Sequence, residues 1–132
     1  SLGDERWIAA NLNGIAISHL EMHNFTAAER ALREALAVAH RTESTPDTLG
    51  SIALLGHVLA RRGQVETAIK ALTFVEQHPS VMARDRLYNE PLLAELRSEL
   101  PDRLFDEATA WATGQSLDEI VHWLEYNHSE SV

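Results

Sequence analysis

Two histidines on the first predicted helix have the spacing of metal ligands. His19 and His23 stand four residues apart in the segment His-Leu-Glu-Met-His, and this spacing can direct two imidazoles to one metal ion. A zinc protease of the zincin type needs its glutamate directly after the first histidine. Leu20 occupies that place and Glu21 falls on another helix face, so a catalytic zinc site is not expected. We predict instead that His19 packs within the helix pair and that His23 lies in a turn.

The remaining reactive side chains form no catalytic pattern. The chain has no cysteine, which excludes thiolate nucleophiles, disulfides and cysteine zinc sites. It contains no Gly-x-Ser-x-Gly segment and no glycine-rich phosphate loop. Acid pairs at 106–107 and 118–119 fall in the first turns of predicted helices, where the helix dipole favours negative charge. Lys70 is expected to be solvated or to extend along the surface with its charged end in water. We therefore predict no catalytic residue, no metal, no cofactor and no enzymatic activity.

Length and charge limit the classes of function further. The 132 residues are 45% hydrophobic and 23% charged, which is typical of one folded domain or a piece of a larger protein. A net charge of −9 opposes the binding of phosphates, so this segment is not expected to contact nucleic acid. No signal sequence or membrane span is present, which predicts a soluble, cytoplasmic fragment without membrane contact. Residues 1–3 are predicted to be left over from cutting this segment out of a longer protein, and residues 128–132 are predicted to be a flexible tail.

Two helical hairpins are predicted over residues 4–79. Apolar residues recur at intervals of three and four, and no alternating strand pattern interrupts them, so the chain is predicted to be all-α. The four helices are expected over about 4–23, 26–39, 47–62 and 66–77. A polar loop is expected over 41–46, and Gly63 supplies the turn of the second hairpin. Trp7, Trp111 and Trp123 each fall within an apolar pattern and are expected to pack in the core or an interface.

The second hairpin repeats the pattern of the first at a fixed offset. Setting Ala28 against Ala68 places Leu12 opposite Ile52. Small residues recur where the helices of one hairpin should touch, namely Ala16, Ala28, Ala35, Gly56 and Ala68. This pattern resembles the tetratricopeptide repeat, and an ordinary helical bundle is the alternative. The offset from Ala28 to Ala68 exceeds the usual repeat length of about 34 residues, and the loop over 41–46 is expected to hold the excess.

Residues 80–127 are predicted to be capping helices that cover the open end of the repeat stack. Residues 83–132 hold 11 acidic and 4 basic residues, a net charge of −7. A first helix is expected to break and restart at Asn89 and Pro91, and a second begins near Pro101 and stops at Gly114. The run from Ser116 to Glu119 is a capping box and predicts the start of a last helix.

The last fifty residues resemble the tail that ends many large bacterial regulators. The residues that carry this resemblance are Phe105, Ala108, Trp111, Ala112, Gly114, Ser116, Leu117, Glu119 and Val121. These regulators are predicted signal-transduction ATPases with tetratricopeptide-like C-terminal repeats, among them LuxR-type, AfsR-like and cyclase-linked transcriptional regulators. The resemblance implies a right-handed α-α superhelix that forms the C-terminal sensor or scaffold part of such a protein.

The tetratricopeptide pattern also implies a concave groove lined by the first helix of each hairpin. Its exposed positions fall on Asn13, Ile17, Glu21, Ala53, His57 and Arg61. Such a surface suits an extended peptide or a helix. We predict a non-catalytic interaction module that binds a protein, a peptide or upstream domains of the same chain. Two alternatives are a small-molecule or metal sensor and a self-association module that forms a homodimer through the first hairpin; the six residues can also be ordinary solvent-facing positions.

Overall fold

Seven α-helices follow one another in the computed structural model, which describes residues 2–127. They are α1 (Leu2–Glu21), α2 (Phe25–Arg41), α3 (Thr45–Arg61), α4 (Val65–Gln77), α5 (Ala83–Glu99), α6 (Asp102–Thr113) and α7 (Leu117–Asn127). No strand occurs within the described range, which confirms the all-α class. None of these helices is long and apolar enough to cross a membrane. The predicted tail at 128–132 lies outside the described residues.

Three loops of identical construction join the first four helices. The central residue of each loop has a positive φ angle, 61° at His23, 57° at Glu43 and 85° at Gly63. In the first loop, the His23 amide donates to the Leu20 carbonyl at 3.1 Å and the next amide donates to the His19 carbonyl at 2.7 Å; the other two loops repeat this pairing. This Schellman geometry satisfies the last carbonyls of each helix. The loop centres are evenly spaced along the chain, so a hairpin recurs at the same offset that separates Ala28 from Ala68.

The predicted loop over 41–46 is too long. The loop contains only residues 42–44, and α3 begins at Thr45 with Pro46 in its first turn. Proline fits there because the first helical amides have no partner within the helix. Ser44, the N-cap residue, donates its hydroxyl to the Asp47 carboxylate at 2.7 Å. The wide offset between Ala28 and Ala68 therefore comes from long helices, with 17 residues each in α2 and α3. The first helix likewise begins at Leu2 and includes residues predicted to lie outside the fold.

Successive helices pack side by side, and small residues permit their close approach. α1 packs on α2, α2 on α3 and α3 on α4, while α1 and α3 also contact each other. Gly56 is buried, and a β-carbon placed there would lie 3.0 Å from Leu72 Cγ and 3.6 Å from the Ala68 carbonyl. The other predicted small positions, Ala16, Ala28, Ala35 and Ala68, are all fully buried.

The C-terminal helices contact both hairpins. α5 runs without interruption from Ala83 to Glu99, so the predicted break at Asn89 and Pro91 is wrong. Pro91 and Leu87 are both exposed, so water can replace the helical hydrogen bond that proline removes. α5 contacts α3 and α4, α6 packs along α4, and α7 reaches back to α2. The last three helices therefore contact the second hairpin through α5 and α6 and the first hairpin through α7.

Side chains fix α6 and α7 in place. The predicted capping box is confirmed, since the Ser116 amide donates to Glu119 Oε1 at 2.9 Å and the Glu119 amide donates to Ser116 Oγ at 3.1 Å. Trp111 and Trp123 pack with ring centroids 4.7 Å apart. Lys70 Nζ lies over both rings, 5.5 and 6.0 Å from their centroids, where the cation is attracted to the ring faces. Trp7 is 70% exposed, so it does not pack in the core.

Candidate binding groove

Two neighbouring cavities lie between α1, α3 and α5, and together we call them the α1–α3–α5 groove. The first cavity has a volume of about 340 Å³ and the second about 260 Å³. Tyr88 on α5 lines both. The six residues predicted from the repeat pattern all line this groove, with Asn13, Ile17 and Ala53 in the first cavity and Glu21, His57 and Arg61 in the second. The structure thus brings all six to one surface.

Two of the six positions are not exposed, contrary to prediction. Ala53 is only 2% exposed and His57 only 8%. The cause is α5, which covers this part of α3. The Tyr88 ring lies against the His57 ring with centroids 4.5 Å apart. The floor of the groove therefore comes from α3, whereas α1 and α5 form its walls.

A chain of hydrogen bonds holds α5 in this position. His57 Nε2–H donates to Asn89 Oδ1 at 2.8 Å, and Asn89 Nδ2 donates to Glu76 Oε1 at 3.4 Å. Asn89 is fully buried, so these bonds satisfy its amide inside the protein. Arg86 extends the chain by donating to the Glu76 carbonyl at 3.3 Å. The network links α3, α4 and α5, and it positions Tyr88 one residue before Asn89.

The wall of the first cavity combines polar and aliphatic groups. Asn13 Oδ1 accepts a hydrogen bond from Ser51 Oγ at 2.9 Å, which joins α1 to α3. Gly50 leaves room beside them, since a β-carbon there would lie 3.7 Å from Asn13 Nδ2 and 3.8 Å from Asp85 Oδ2. Asp85 Oδ2 is buried without a hydrogen-bond partner, and burial raises the pKa of this carboxyl group. With Ile17 beside them, these groups can hold a ligand that has both polar and apolar parts.

The second cavity carries charges of both signs at its rim. Glu21 and Arg61 are exposed there. Arg61 Nη1 lies 3.6 Å from Glu95 Oε2, and both side chains are about half exposed, so this ion pair is open to exchange with a ligand. Burial, with a smaller effect of the Glu21 charge, raises the pKa of Tyr88. Its hydroxyl is therefore neutral near pH 7 and can both donate and accept a hydrogen bond.

The two histidines of the predicted pair lie in different surroundings. α1 ends at Glu21, so His23 lies in the loop beyond it, where its ring stacks on Phe25 with centroids 5.5 Å apart. His19 stays on the helix, with Nδ1 buried and without a hydrogen-bond partner. Across the part of the chain that the structure describes, no group of three or more His, Asp or Glu residues is arranged to hold a metal ion.

Sequence reasoning missed the contribution of α5. Tyr88, Asn89 and Asp85 all belong to the groove or support it, yet none was predicted. The signal that could have found them is helical spacing, because residues 85, 89, 92 and 96 lie on one face of a continuous helix. Leu92 and Leu96 are buried on that face, so Asp85 and Asn89 must also point inward.

Comparison of the chain with protein-family models, with curated proteins and with solved structures finds no match. The resemblance to bacterial regulators therefore depends on the tail residues alone. Among them, Phe105, Ala108 and Val121 are buried, while Ser116 and Glu119 form the capping box. These residues stabilise α6 and α7 and do not line the groove.

Acidification should destabilise the protein through His57. Burial, followed by the nearby Arg61 charge, lowers the pKa of His57 below its ordinary value of 6.5, although the hydrogen bond to Asn89 opposes this shift. The unfolded chain then binds a proton more readily than the folded protein, so the free energy of unfolding falls as the pH falls through about 6.5. Urea denaturation between pH 7.5 and 5.5 measures this loss. The substitution His57→Gln should remove that part of the pH dependence, and an unchanged pH dependence in this variant would contradict the assignment.

Proposed function

We propose that the chain is a non-catalytic interaction module that binds an extended peptide or a helix of another protein in the α1–α3–α5 groove. The observation that supports this most directly is the pair of adjoining cavities, which share Tyr88 and are lined by all six positions that the repeat pattern selects. A ligand that spans both cavities would contact three helices at once. Such a groove suits a chain-like ligand better than a compact one.

The chemistry of the walls supports a peptide. Amide and carboxylate groups of Asn13 and Asp85 can bond to peptide amides, and the ring of Tyr88 and the side chain of Ile17 provide apolar anchor points. Tyrosine is a frequent anchor at interfaces because its ring is large and rigid and its hydroxyl remains polar. The exposed Arg61 and Glu95 can pair with charges of the ligand at one end of the groove.

We further propose that the module is a tetratricopeptide-like C-terminal part of a bacterial signal-transducing ATPase or transcriptional regulator. The evenly spaced Schellman loops support repeated hairpins, and the tail residues at 105–121 support the regulator family. Binding in the groove would then change how the repeats contact the upstream domains. If this is correct, a separately expressed upstream domain of the parent protein should bind the module or alter its affinity for a groove ligand.

Loss of the Tyr88 ring should weaken peptide binding about tenfold, as expected for removal of one interface anchor. A peptide selected on the immobilised chain from a random library would serve as the probe, and fluorescence anisotropy would measure its Kd. The matched control is Leu87→Ala, because Leu87 is the neighbouring residue on α5, is 68% exposed and lines neither cavity. Circular dichroism would check that both variants fold.

The two variants separate groove binding from binding elsewhere. The proposal predicts a higher Kd for Tyr88→Ala and an unchanged Kd for Leu87→Ala. Equal affinity of the wild type and Tyr88→Ala for every selected peptide would show that the groove is not the binding surface. The same would follow if Leu87→Ala weakened binding more than Tyr88→Ala.

A further inference from the structure

A carboxyl oxygen in the first cavity of the groove has no hydrogen-bond partner within the protein. Asp85 Oδ2 is buried and accepts no hydrogen bond from the residues that the structure describes. The other oxygen, Oδ1, lies 3.8 Å from Arg84 Nε, but the Arg84 side chain is 75% exposed, so this ion pair is weak. Asp85 lies in the first turn of α5, and its side chain lines the cavity. A buried acceptor without a donor is costly, so a ligand that supplies the donor gains affinity.

Gly50 leaves open space beside this oxygen. A β-carbon at Gly50 would lie 3.8 Å from Asp85 Oδ2 and 3.7 Å from Asn13 Nδ2. Ser51 Oγ donates a hydrogen bond to Asn13 Oδ1 at 2.9 Å, so this bond fixes the amide and leaves Asn13 Nδ2 as a donor for a ligand. One acceptor and one donor therefore border the same space. Ile17 adds an apolar side chain to the same cavity.

The charge of Asp85 favours a cationic ligand. The N–H group of a neutral peptide unit would satisfy Oδ2, but it would leave a partly buried negative charge without a counter-charge. Burial raises the pKa of Asp85, while the Arg84 charge opposes this shift and the Asp47 charge adds to it. A cation beside Oδ2 favours the charged carboxylate, whereas an anion paired with Arg84 would leave Oδ2 without a donor. The net charge of −9 also attracts cations to the chain.

We propose that the first cavity binds a primary ammonium group of the peptide ligand through the Asp85 carboxylate. This inference rests on the proposed function, which places a peptide in the groove. An ammonium group is compact, and its three donors can reach Oδ2 beside Gly50. Tyr88 lies one helical turn after Asp85 on α5, so its ring can contact the same cation. A guanidinium group suits the site less well, because Asn13 Nδ2 and Arg84 are themselves donors.

Two parts of a peptide carry a primary ammonium group, namely the amino terminus and the lysine side chain. At the amino terminus the first carbonyl lies close to the ammonium group, so Asn13 Nδ2 can bind this carbonyl while Asp85 binds the ammonium group. A lysine side chain brings the same ammonium group without the carbonyl. Both sources predict the same dependence on Asp85, and peptides in which one or the other ammonium group is removed distinguish them.

Blocked peptides and the substitution Asp85→Asn test the inference together. The probe is a peptide selected on the immobilised chain, labelled at its carboxyl end and synthesised with a free amino terminus. Two blocked forms accompany it, one with an acetylated amino terminus and one with each lysine replaced by norleucine. Removal of the ammonium group that the cavity binds should raise the Kd, measured by fluorescence anisotropy, about tenfold, as expected for one charge-assisted hydrogen bond.

Asp85→Asn keeps the size of the side chain and removes its charge. This variant should bind the free peptide about tenfold more weakly, and blocking the ammonium group should then have no further effect. Asp106→Asn on α6 is the matched control, since Asp106 is exposed and lines neither cavity, and it should leave every Kd unchanged. Circular dichroism would check that both variants fold.

The outcomes separate this inference from the groove proposal. Equal Kd values of the free and both blocked peptides for the wild type would overturn the ammonium site. An equal loss of affinity for free and blocked peptides in Asp85→Asn would overturn it as well. If Tyr88→Ala still weakened binding in either case, the groove proposal would stand without the ammonium site. If Tyr88→Ala left the Kd of the free peptide unchanged, both proposals would fail.

Discussion

Replacing Gly56 with leucine is expected to lower the free energy of unfolding by about 3 kcal/mol, the upper part of the usual range for overpacking. Even a β-carbon at this position would lie 3.0 Å from Leu72 Cγ and 3.1 Å from Leu72 Cδ2. A full side chain must therefore push α3 away from α4 or force Leu72 into another rotamer. Urea denaturation followed by circular dichroism measures the loss.

The matched control is Gly14→Leu on α1. A β-carbon at Gly14 would meet nothing within 4 Å, and the residue is exposed. Because glycine is a poor helix former, this variant should gain about 0.8 kcal/mol. If Gly56→Leu proved as stable as Gly14→Leu, α3 and α4 would not be in the close contact that the structure shows.

The second large effect is expected for Glu29→Gln, which should cost about 2 kcal/mol. Glu29 is 8% exposed, and its carboxylate binds two arginines. Arg33 Nε donates to Oε2 at 3.0 Å, and Arg62 Nη1 donates to Oε1 at 3.3 Å. Arg33 Nη1 also donates to the Leu124 carbonyl at 3.0 Å, so this ion cluster joins α2 to α7 and, through Arg62, to the C-cap of α3. Without the carboxylate, the half-buried guanidinium groups of Arg33 and Arg62 stay positively charged but lose the negative charge that both of them bind.

Glu107→Gln serves as the control for Glu29→Gln. Arg103 and Glu107 also form an ion pair, at 3.6 Å, but both side chains are mostly exposed. Its loss should change the free energy of unfolding by less than about 0.5 kcal/mol. Equal effects of the two substitutions in urea denaturation would show that the buried cluster does not stabilise the packing of α2.

The sequence indicated the helices and their turns because these depend on local periodicity, and the resemblance to the tetratricopeptide repeat implied the six positions that line the groove. Ala28 and Ala68 mark equivalent helix positions, and Gly63 marks a turn that requires a positive φ angle. The remaining two turns have the same geometry without glycine, since His23 and Glu43 adopt positive φ angles of 61° and 57°. The packing of the long helices on either side imposes this conformation, so residue type alone could not predict it.

The groove could be predicted only in part, because the sequence analysis expected the helix that covers it, α5, to break near Pro91. Proline in a helix interior usually breaks it, but here the proline lies on the exposed side of α5. With α5 continuous, Asp85 and Asn89 fall on the buried face beside Leu92. The local sequence does not determine which surface that face covers. The contact of Asn89 with His57 joins residues that are 32 positions apart, so neither residue's sequence neighbours predict it.

The measurement that tests the central proposal most directly is chemical-shift mapping of a selected peptide on the isotope-labelled chain. The account predicts that the largest amide shifts occur at Asn13, Ile17, His57, Arg61 and Tyr88, which line the groove on three different helices. The shifts should be much smaller in Tyr88→Ala at the same peptide concentration. Shifts confined to α6 and α7, or to the exposed Ile8 and Ile15 of α1, would contradict a ligand site in the α1–α3–α5 groove.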